Sequence, residues 1–123
     1  MFYILFCGKY SKENLSLCTK LSEHWVTFNH NPDNFILALK DMNRCNISSY
    51  NLVLLDPYIE KLGERVSYID KVLKLNHGKR RTAIIKDNHL ERSIALFREK
   101  YSFYELSKES NLVTAITKIL TLN

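Results

Sequence analysis

Glycine and proline are scarce in this sequence, with three and two residues among 123. Long flexible linkers rich in these residues are therefore not expected, and residues 1–123 are predicted to form one domain around one core. No apolar run approaches the roughly 20 residues that a membrane-spanning helix needs. The N-terminal segment lacks a basic leader and a small-residue cleavage site, so we interpret it as a first strand and not as a signal peptide.

Cysteine is also scarce, and its spacing excludes the common metal and redox motifs. Cys7, Cys18 and Cys45 are odd in number and contain no C-x-x-C pair. We expect free thiols in a reducing cytoplasm. The four histidines are scattered without the spacing of metal ligands, so we predict neither a metal nor a cofactor.

The charge is mildly basic, at +5. This balance permits an acidic partner but does not identify nucleic acid. The basic run 79–81 is interpreted as a solvated turn, and no segment is typical of a helix-turn-helix recognition unit. Contact with DNA is therefore expected only through an output domain outside these residues, and no membrane contact is expected.

Short apolar stretches alternate with segments of helical periodicity along the chain. The stretches are rich in aromatic and β-branched residues and end at turn-forming residues, which indicates strands. Strand and helix alternate five times, and this pattern favours an α/β fold with helices on both faces of a parallel sheet. The five predicted strands span 2–7, 25–28, 52–55, 82–85 and 102–106.

Local patterns predict several helix ends. Ser11 is the predicted N-cap of the first helix, and the polar stretch 46–50 is expected to end the second. The third helix is expected over 59–75, and Ser107 or Ser110 is expected to cap the last one. The predicted apolar stripe of the first helix is Leu15, Cys18 and Leu21.

The third strand ends at an acid. Four apolar residues precede Asp56, and Pro57 follows it, where a strand cannot continue. An acid at the carboxyl end of a central parallel strand lies where open α/β sheets place their sites. Asp56 is therefore the leading candidate site residue, although an Asp before proline also serves as a simple turn or helix cap.

The βα alternation, with Asp56 closing the third strand, resembles the receiver domain of bacterial response regulators. In that family this Asp accepts a phosphoryl group from a histidine kinase, a Thr or Ser ends the fourth strand, and a Lys follows the fifth. Here Lys86 lies 30 positions after Asp56, and Lys108 lies 52 positions after it. The resemblance covers residues 1–123. It implies a doubly wound, flavodoxin-like three-layer sandwich with strand order 2-1-3-4-5.

The first departure from the family is at the metal site. Receivers hold Mg²⁺ with acids at the end of the first strand, because phosphoryl transfer needs a divalent ion to offset phosphate charge. This chain has Cys7 and Gly8 there, a thiol and a missing side chain, and neither suits a hard cation. Asp56 alone is expected to bind Mg²⁺ weakly at best.

Further departures lie at the switch positions. Lys86 replaces the Thr or Ser, and Glu109 replaces the Pro that follows Lys108 in the family. The aromatic three positions before that Lys is Glu105 here, with Tyr104 one position away.

With these departures, the chain resembles an atypical receiver, or pseudo-receiver. We expect Lys86 and Lys108 to flank Asp56 and to supply part of the positive field that Mg²⁺ normally brings. The expected role is two-component signalling through contacts, without catalysis. The resemblance implies a docking or homodimer face on the last two helices and the fifth strand, with candidate residues Arg92, Arg98, Lys100, Tyr101 and Tyr104.

Two alternatives remain open. The chain could be a conventional phosphoreceiver modified on Asp56, within a phosphorelay that regulates transcription. It could instead be similar to a phosphocarrier IIB domain of the sugar phosphotransferase system. That reading uses Cys7, whose thiolate a following helix N-terminus would stabilise. Its loop 8–12 is bulkier than the phosphate loops of those domains.

Overall fold

The computed structural model describes residues 1–45, 50–59 and 61–122, apart from the side chain of Leu62. Strands and helices alternate strictly through these residues, as the sequence pattern predicts. The strands are β1 (Tyr3–Cys7), β2 (Trp25–Asn29), β3 (Leu52–Leu55), β4 (Arg81–Lys86) and β5 (Tyr104–Ser107). The helices are α1 (Lys12–Lys20), α2 (Pro32–Arg44), α3 (Leu62–Asn76), α4 (Glu91–Arg98) and α5 (Leu112–Leu120).

All strand pairs are parallel, and the sheet order is β2-β1-β3-β4-β5. The predicted doubly wound fold is therefore confirmed. Strand β3 is central and all four of its residues are buried, as expected for a parallel strand covered on both faces. Its register pairs Leu55 with Cys7 of β1 and with Ile84 of β4, so the carboxyl ends of three strands meet beside residue 56.

Two apolar clusters fill the space on the two faces of the sheet. Successive strand residues point to opposite faces. Val53 and Leu55 therefore pack with α2, α3 and α4, whereas Leu52 and Leu54 pack with α1 and α5. The molecule is a three-layer sandwich. No helix in the described part of the chain is both long and apolar enough to cross a membrane.

The first helix differs from its predicted stripe. Ser11 is its N-cap, as predicted, and its hydroxyl accepts a hydrogen bond from the backbone N–H of Asn14 at 3.2 Å. Leu15, however, is exposed, while Leu17 and Leu21 are buried. The helical period of 3.6 residues places Asn14 on the same buried stripe as Leu17 and Leu21. The polar Asn14 thus takes a core-facing position.

Two predicted helix starts are wrong. Helix α3 begins at Leu62 and not at residue 59, with Lys61 as an N-cap that makes no side-chain bond. The preceding loop is held because the Tyr58 hydroxyl donates to the His30 carbonyl oxygen. The cap of α5 is Asn111, whose Oδ1 accepts from the Thr114 N–H at 3.2 Å.

The predicted cap serines of α5 form a turn instead. The Ser110 hydroxyl donates to the Ser107 carbonyl oxygen at 2.7 Å, and Ser107 itself ends β5. That strand starts at Tyr104, two residues after its predicted start. The stretch 46–49, expected to end the second helix, lies outside the described residues.

The basic turn before β4 is structural. The Arg80 guanidinium donates to Asn76 Oδ1 at 2.5 Å and to Asn43 Oδ1 at 2.7 Å. Arg81 donates to the carbonyl oxygens of Ile119 and Leu122. These hydrogen bonds commit both arginines to contacts within the fold.

Candidate functional site

Asp56 is the first residue after β3 and is almost completely buried. It is 5% exposed. Its backbone N–H donates to the Cys7 carbonyl oxygen at 2.8 Å, which extends the β1–β3 pairing by one step. Because Leu55 faces the α2–α4 layer, alternation along the chain turns the Asp56 side chain toward α1 and α5.

Lys108 reaches Asp56 from the solvent side. Its ammonium Nζ lies 3.4 Å from Asp56 Oδ1, and its side chain is half exposed. Oδ1 is buried and accepts no hydrogen bond from a described residue. The contact is therefore an ion pair whose N–O distance is longer than that of a normal hydrogen bond. The carboxylate in this pair is hardly accessible to water.

Asn14 holds the other oxygen of the carboxylate. Its Nδ2 donates to Asp56 Oδ2 at 3.0 Å and to the Lys9 carbonyl oxygen at 2.8 Å. Both amide hydrogens are thus used, which fixes the orientation of the amide. Asn14 was not among the predicted site residues. The available signal was a polar residue in phase with the apolar stripe of α1.

Gly8 makes room for this amide. A Cβ atom at residue 8 would lie 2.8 Å from Asn14 Nδ2 and 3.3 Å from Asp56 Cβ, both closer than the atoms would tolerate without moving. The glycine at this predicted degenerate metal position therefore has a positive role. It lets Asn14 and Asp56 meet next to the backbone of the β1–α1 loop.

Cys7 lies on the other face of the sheet. It is fully buried in the α2–α4 cluster, and its Sγ is 3.5 Å from the Tyr68 hydroxyl oxygen. Burial raises the pKa of the Cys7 thiol to about 11, and the charge of Asp56 adds to this rise, against a lowering by the Tyr68 hydrogen bond. A fully buried, protonated thiol is a poor nucleophile toward a phosphoryl donor, which disfavours the phosphocarrier alternative based on Cys7; that alternative stays a prediction.

The groups around Asp56 do not fit a divalent cation. Asn14 Nδ2 and Lys108 Nζ are donors without a free lone pair, and they occupy the approaches to the two carboxylate oxygens. Among the described residues, no group of three or more His, Cys, Asp or Glu side chains is arranged to hold a metal ion. Glu13 and Asp87 line the same pocket as Asp56, but these carboxylates are not grouped closely enough to share one ion.

Lys86 does not flank Asp56, and that prediction is wrong. Its Nζ donates to Glu91 Oε2 at 2.7 Å and to Glu105 Oε1 at 2.9 Å. The reason is strand alternation. Ile85 faces the α1–α5 layer, so Lys86 turns to the opposite face and toward α4, away from the Asp56 side chain.

Lys86 belongs to a four-residue ion network that joins β4, α4 and β5. Arg98 Nη2 lies 2.7 Å from Glu91 Oε1 and 2.5 Å from Glu105 Oε1, so each cation contacts both acids. Hydrogen bonds from Arg98, assisted by Lys86 and opposed by partial burial, lower the pKa of Glu105 to about 2. The same contacts raise the pKa of Lys86 and Arg98.

The predicted interaction face is partly committed to internal contacts. Arg98 belongs to the ion network, and the Tyr101 hydroxyl donates to Asp70 Oδ1 at 2.9 Å. Lys100 Nζ lies 3.7 Å from the same carboxylate oxygen. Tyr104 is half-buried and packs against the α1–α5 cluster. Arg92 is exposed, as is Leu96, which was not predicted and is 73% exposed.

A cleft of about 350 Å³ opens beside Asp56. Its walls carry both signs of charge, including Lys9 and Arg65 as well as Asp87. Arg65 Nη1 lies 3.6 Å from Asp87 Oδ2, and Asp87 also accepts from the backbone N–H of His89 at 3.0 Å. The mixed lining favours neither a simple anion nor a simple cation.

Comparison with solved structures identifies the architecture. A response regulator receiver protein from Sinorhizobium medicae is similar over 97% of this chain and 94% of that one, with a TM-score of 0.66 and 14% identity. The chain has a receiver-like fold.

Other similar structures are described either as response regulators or as pilus assembly proteins. The Mn²⁺-bound form of response regulator Rcp1 matches with a TM-score of 0.59 and 17% identity, over 98% of this chain and 90% of that one. A putative pilus assembly-related protein from Burkholderia pseudomallei matches with a TM-score of 0.66 and 12% identity, over 98% and 90%. No protein-family profile matches the sequence. No curated protein matches it significantly either. What this chain shares with the similar solved structures is the receiver-like fold.

Proposed function

We propose that this chain is an atypical receiver, a cytoplasmic signalling or interaction module that works without Mg²⁺-dependent phosphorylation and without catalysis. The observation that carries the proposal is the clamp on Asp56. The Asn14 amide holds one carboxylate oxygen, and the Lys108 ammonium stands over the other. Both groups are donors and not metal ligands, and each already contacts an oxygen that a metal or a phosphoryl group would have to reach.

Charge and access both argue against phosphoryl transfer at Asp56. A phosphoryl donor brings several negative charges to a carboxylate that is already anionic, and a divalent ion normally offsets them. Lys108 supplies a single positive charge, while the Asn14 amide is neutral. The carboxylate is also only 5% exposed, so a phosphoryl donor that entered the neighbouring cleft would still have to move Asn14 or Lys108 to reach its oxygens.

The same clamp supports a domain held near one conformation. Asp56 is tied to α1 through Asn14 and to the residue after β5 through Lys108, while the ion network ties α4 to β4 and β5. In this proposal the module signals by presenting a constant surface. We assign that surface to α4, β5 and α5, where Arg92 and Leu96 are exposed for a protein partner or a second copy.

Acetyl phosphate tests the proposal directly. The purified chain is incubated with acetyl phosphate and Mg²⁺, and intact-protein mass spectrometry records any added phosphoryl group. We expect no phosphorylated species, in contrast to a conventional receiver treated in parallel. The Asp56→Asn variant serves as the matched control.

Stoichiometric labelling that disappears in Asp56→Asn would instead establish the conventional phosphoreceiver. One observation favours that second candidate: a lysine ammonium does lie next to the acid at the end of β3. Labelling that survives in Asp56→Asn would point to another residue and would leave Asp56 without the phosphoacceptor role.

A further inference from the structure

A second surface lies between α2 and α3, on the far side of the molecule from Asp56. Helices that follow parallel strands begin at the carboxyl edge of the sheet and end at its amino edge. The C-terminal halves of α2 and α3 therefore lie at the amino edge. A groove of about 390 Å³ runs between them, lined by Ile36, Lys40, Asn43, Lys71, Lys74, Leu75 and Lys79.

The groove has an apolar floor and a cationic rim. Ile36 and Leu75 are half-buried, whereas the four lysines are exposed. No Asp or Glu is among the lining residues. Lys40, Lys71 and Lys74 form no ion pair with a described residue. These three lysines therefore place positive charge along the groove that no described acid pairs with.

A hydrogen-bond network holds one end of the groove in shape. Asn43 Nδ2 donates to the Leu75 carbonyl oxygen at 2.8 Å, and Asn43 Oδ1 accepts from Arg80 Nη2 at 2.7 Å. Arg80 also donates to Asn76 Oδ1. Because α2, α3 and the following turn are pinned together, an occupant would not have to order this end of the groove on binding.

We propose that this groove docks an acidic amphipathic helix of a protein partner. Two side-by-side helices with a furrow between them match the helix-in-groove mode of recognition, in which spaced apolar side chains enter the furrow. Lys71 and Lys74 are three residues apart on one face of α3, and Lys40 stands on α2 across the floor. Acidic residues on both sides of the apolar stripe of the partner would meet them.

The chemistry of the groove favours a peptide over a membrane or a nucleic acid. A bilayer surface is engaged by apolar side chains that project outward. Here the apolar residues are half-buried beneath a lysine rim. A phosphate backbone would gain little from an apolar floor. The neighbouring Arg80 and Arg81 are already bonded within the fold. This proposal does not rest on the role of Asp56.

A synthetic helix tests the proposal. The probe is a fluorescent peptide of about 16 residues, long enough to form a helix, with leucines along one face and glutamates on both flanks. Binding to the full chain is followed by fluorescence anisotropy. We expect saturable binding that weakens with salt. A scrambled peptide of identical composition is expected to bind at least about ten-fold more weakly, because its leucines no longer share a face.

Matched charge reversals locate the site. The groove variant carries Lys40→Glu, Lys71→Glu and Lys74→Glu, and Lys79 is left unchanged because it has other interactions in the chain. We expect it to bind the probe roughly ten-fold more weakly. The control variant reverses three exposed lysines on α1 and α5, and its affinity is expected to stay within about two-fold. These are Lys12, Lys20 and Lys118.

A charge swap keeps the test independent of folding. A probe with lysines in place of the glutamates should bind the groove variant and not the original chain. The proposal is overturned if the original chain does not bind the acidic probe, if the scrambled peptide binds equally, or if both triple variants lose affinity equally. It is also overturned if anionic phospholipid vesicles or duplex DNA bind at the groove lysines while the peptide does not.

Discussion

The amide of Asn14 makes two hydrogen bonds at once, and both depend on the missing side chain at residue 8. Position 8 follows directly after β1, where the backbone passes close to Asn14 and Asp56. The resemblance to receivers predicts acidic metal ligands in this region, and the structure has the neutral amide of Asn14 there. At the scale of single residues, the Asp56 carboxylate is therefore bound by a neighbouring side-chain amide of the same domain.

Gly8→Ala tests this packing. The added Cβ would displace the Asn14 amide and leave Asp56 Oδ2 without its donor, so we expect a loss of about 1–3 kcal/mol in the free energy of unfolding. Urea denaturation measures the change. The control is Gly63→Ala in the first turn of α3, where a Cβ meets nothing within 4 Å. That substitution should be neutral or stabilising by up to about 1 kcal/mol. Equal effects at the two glycines would contradict the role given to Gly8.

The ion network acts at the scale of elements, because its four side chains come from β4, α4 and β5. Helix α4 has only eight residues and no side-chain N-cap bond, so its own backbone contributes little to its position. At the start of the helix, Glu91 pairs with Lys86 of β4, and Lys86 also pairs with Glu105 of β5. At the end of the helix, Arg98 pairs directly with Glu105. We infer that the network fixes α4 against the sheet edge and so shapes the proposed docking surface.

Acid should release this network. The pKa of Glu105 in the folded protein is about 2, below its ordinary value of 4.5. Its stabilising contribution is therefore complete above about pH 5 and is lost as the pH falls toward 2. We expect Glu105→Gln to reduce the loss of unfolding free energy between pH 5 and pH 3 by on the order of 1 kcal/mol, after allowance for solvent screening of the exposed partners.

Chemical denaturation at the two pH values measures this difference. The matched control is Glu99→Gln at the end of α4, since Glu99 is exposed and forms no ion pair with a described residue. That variant should keep the acid sensitivity of the original chain. A Glu105→Gln variant that is as sensitive to acid as the original chain would show that the network does not contribute in solution.

At the scale of the whole molecule, the alternation of short apolar segments with segments of helical periodicity predicted the architecture. A parallel sheet needs continuous apolar strands, and each crossover between them needs a helix. The β2-β1-β3-β4-β5 order came from the receiver resemblance and is the order observed. The site was harder to predict. Sequence spacing placed Lys86 opposite Asp56, but spacing does not state which face of a strand a side chain takes. The contact between Asn14 and Asp56 joins residues 42 positions apart, which no local pattern reveals.

The two proposed functional regions occupy opposite edges of the sheet, and we expect them to be energetically independent. Substitutions that share no partners usually have additive effects within about 0.5 kcal/mol. Asp56→Asn should therefore leave the affinity for the acidic probe peptide unchanged, alone and combined with the Lys40, Lys71 and Lys74 reversals. A double-mutant cycle by calorimetry measures the coupling. A coupling above about 1 kcal/mol would show that the clamp on Asp56 communicates with the groove.

The alternation of side chains at the ends of β3 and β4 limits how a change at Asp56 could affect the position of α4. Asp56 faces one helical layer and Lys86 faces the other, with the hydrogen-bonded backbone of the sheet between them. No hydrogen bond or ion pair between described residues joins the Asp56 side chain directly to α4, so a charge change on that acid would reach the helix only as a weaker through-space effect. The aspartate and the helix beyond it would then evolve under separate constraints, each free to vary while the other is kept.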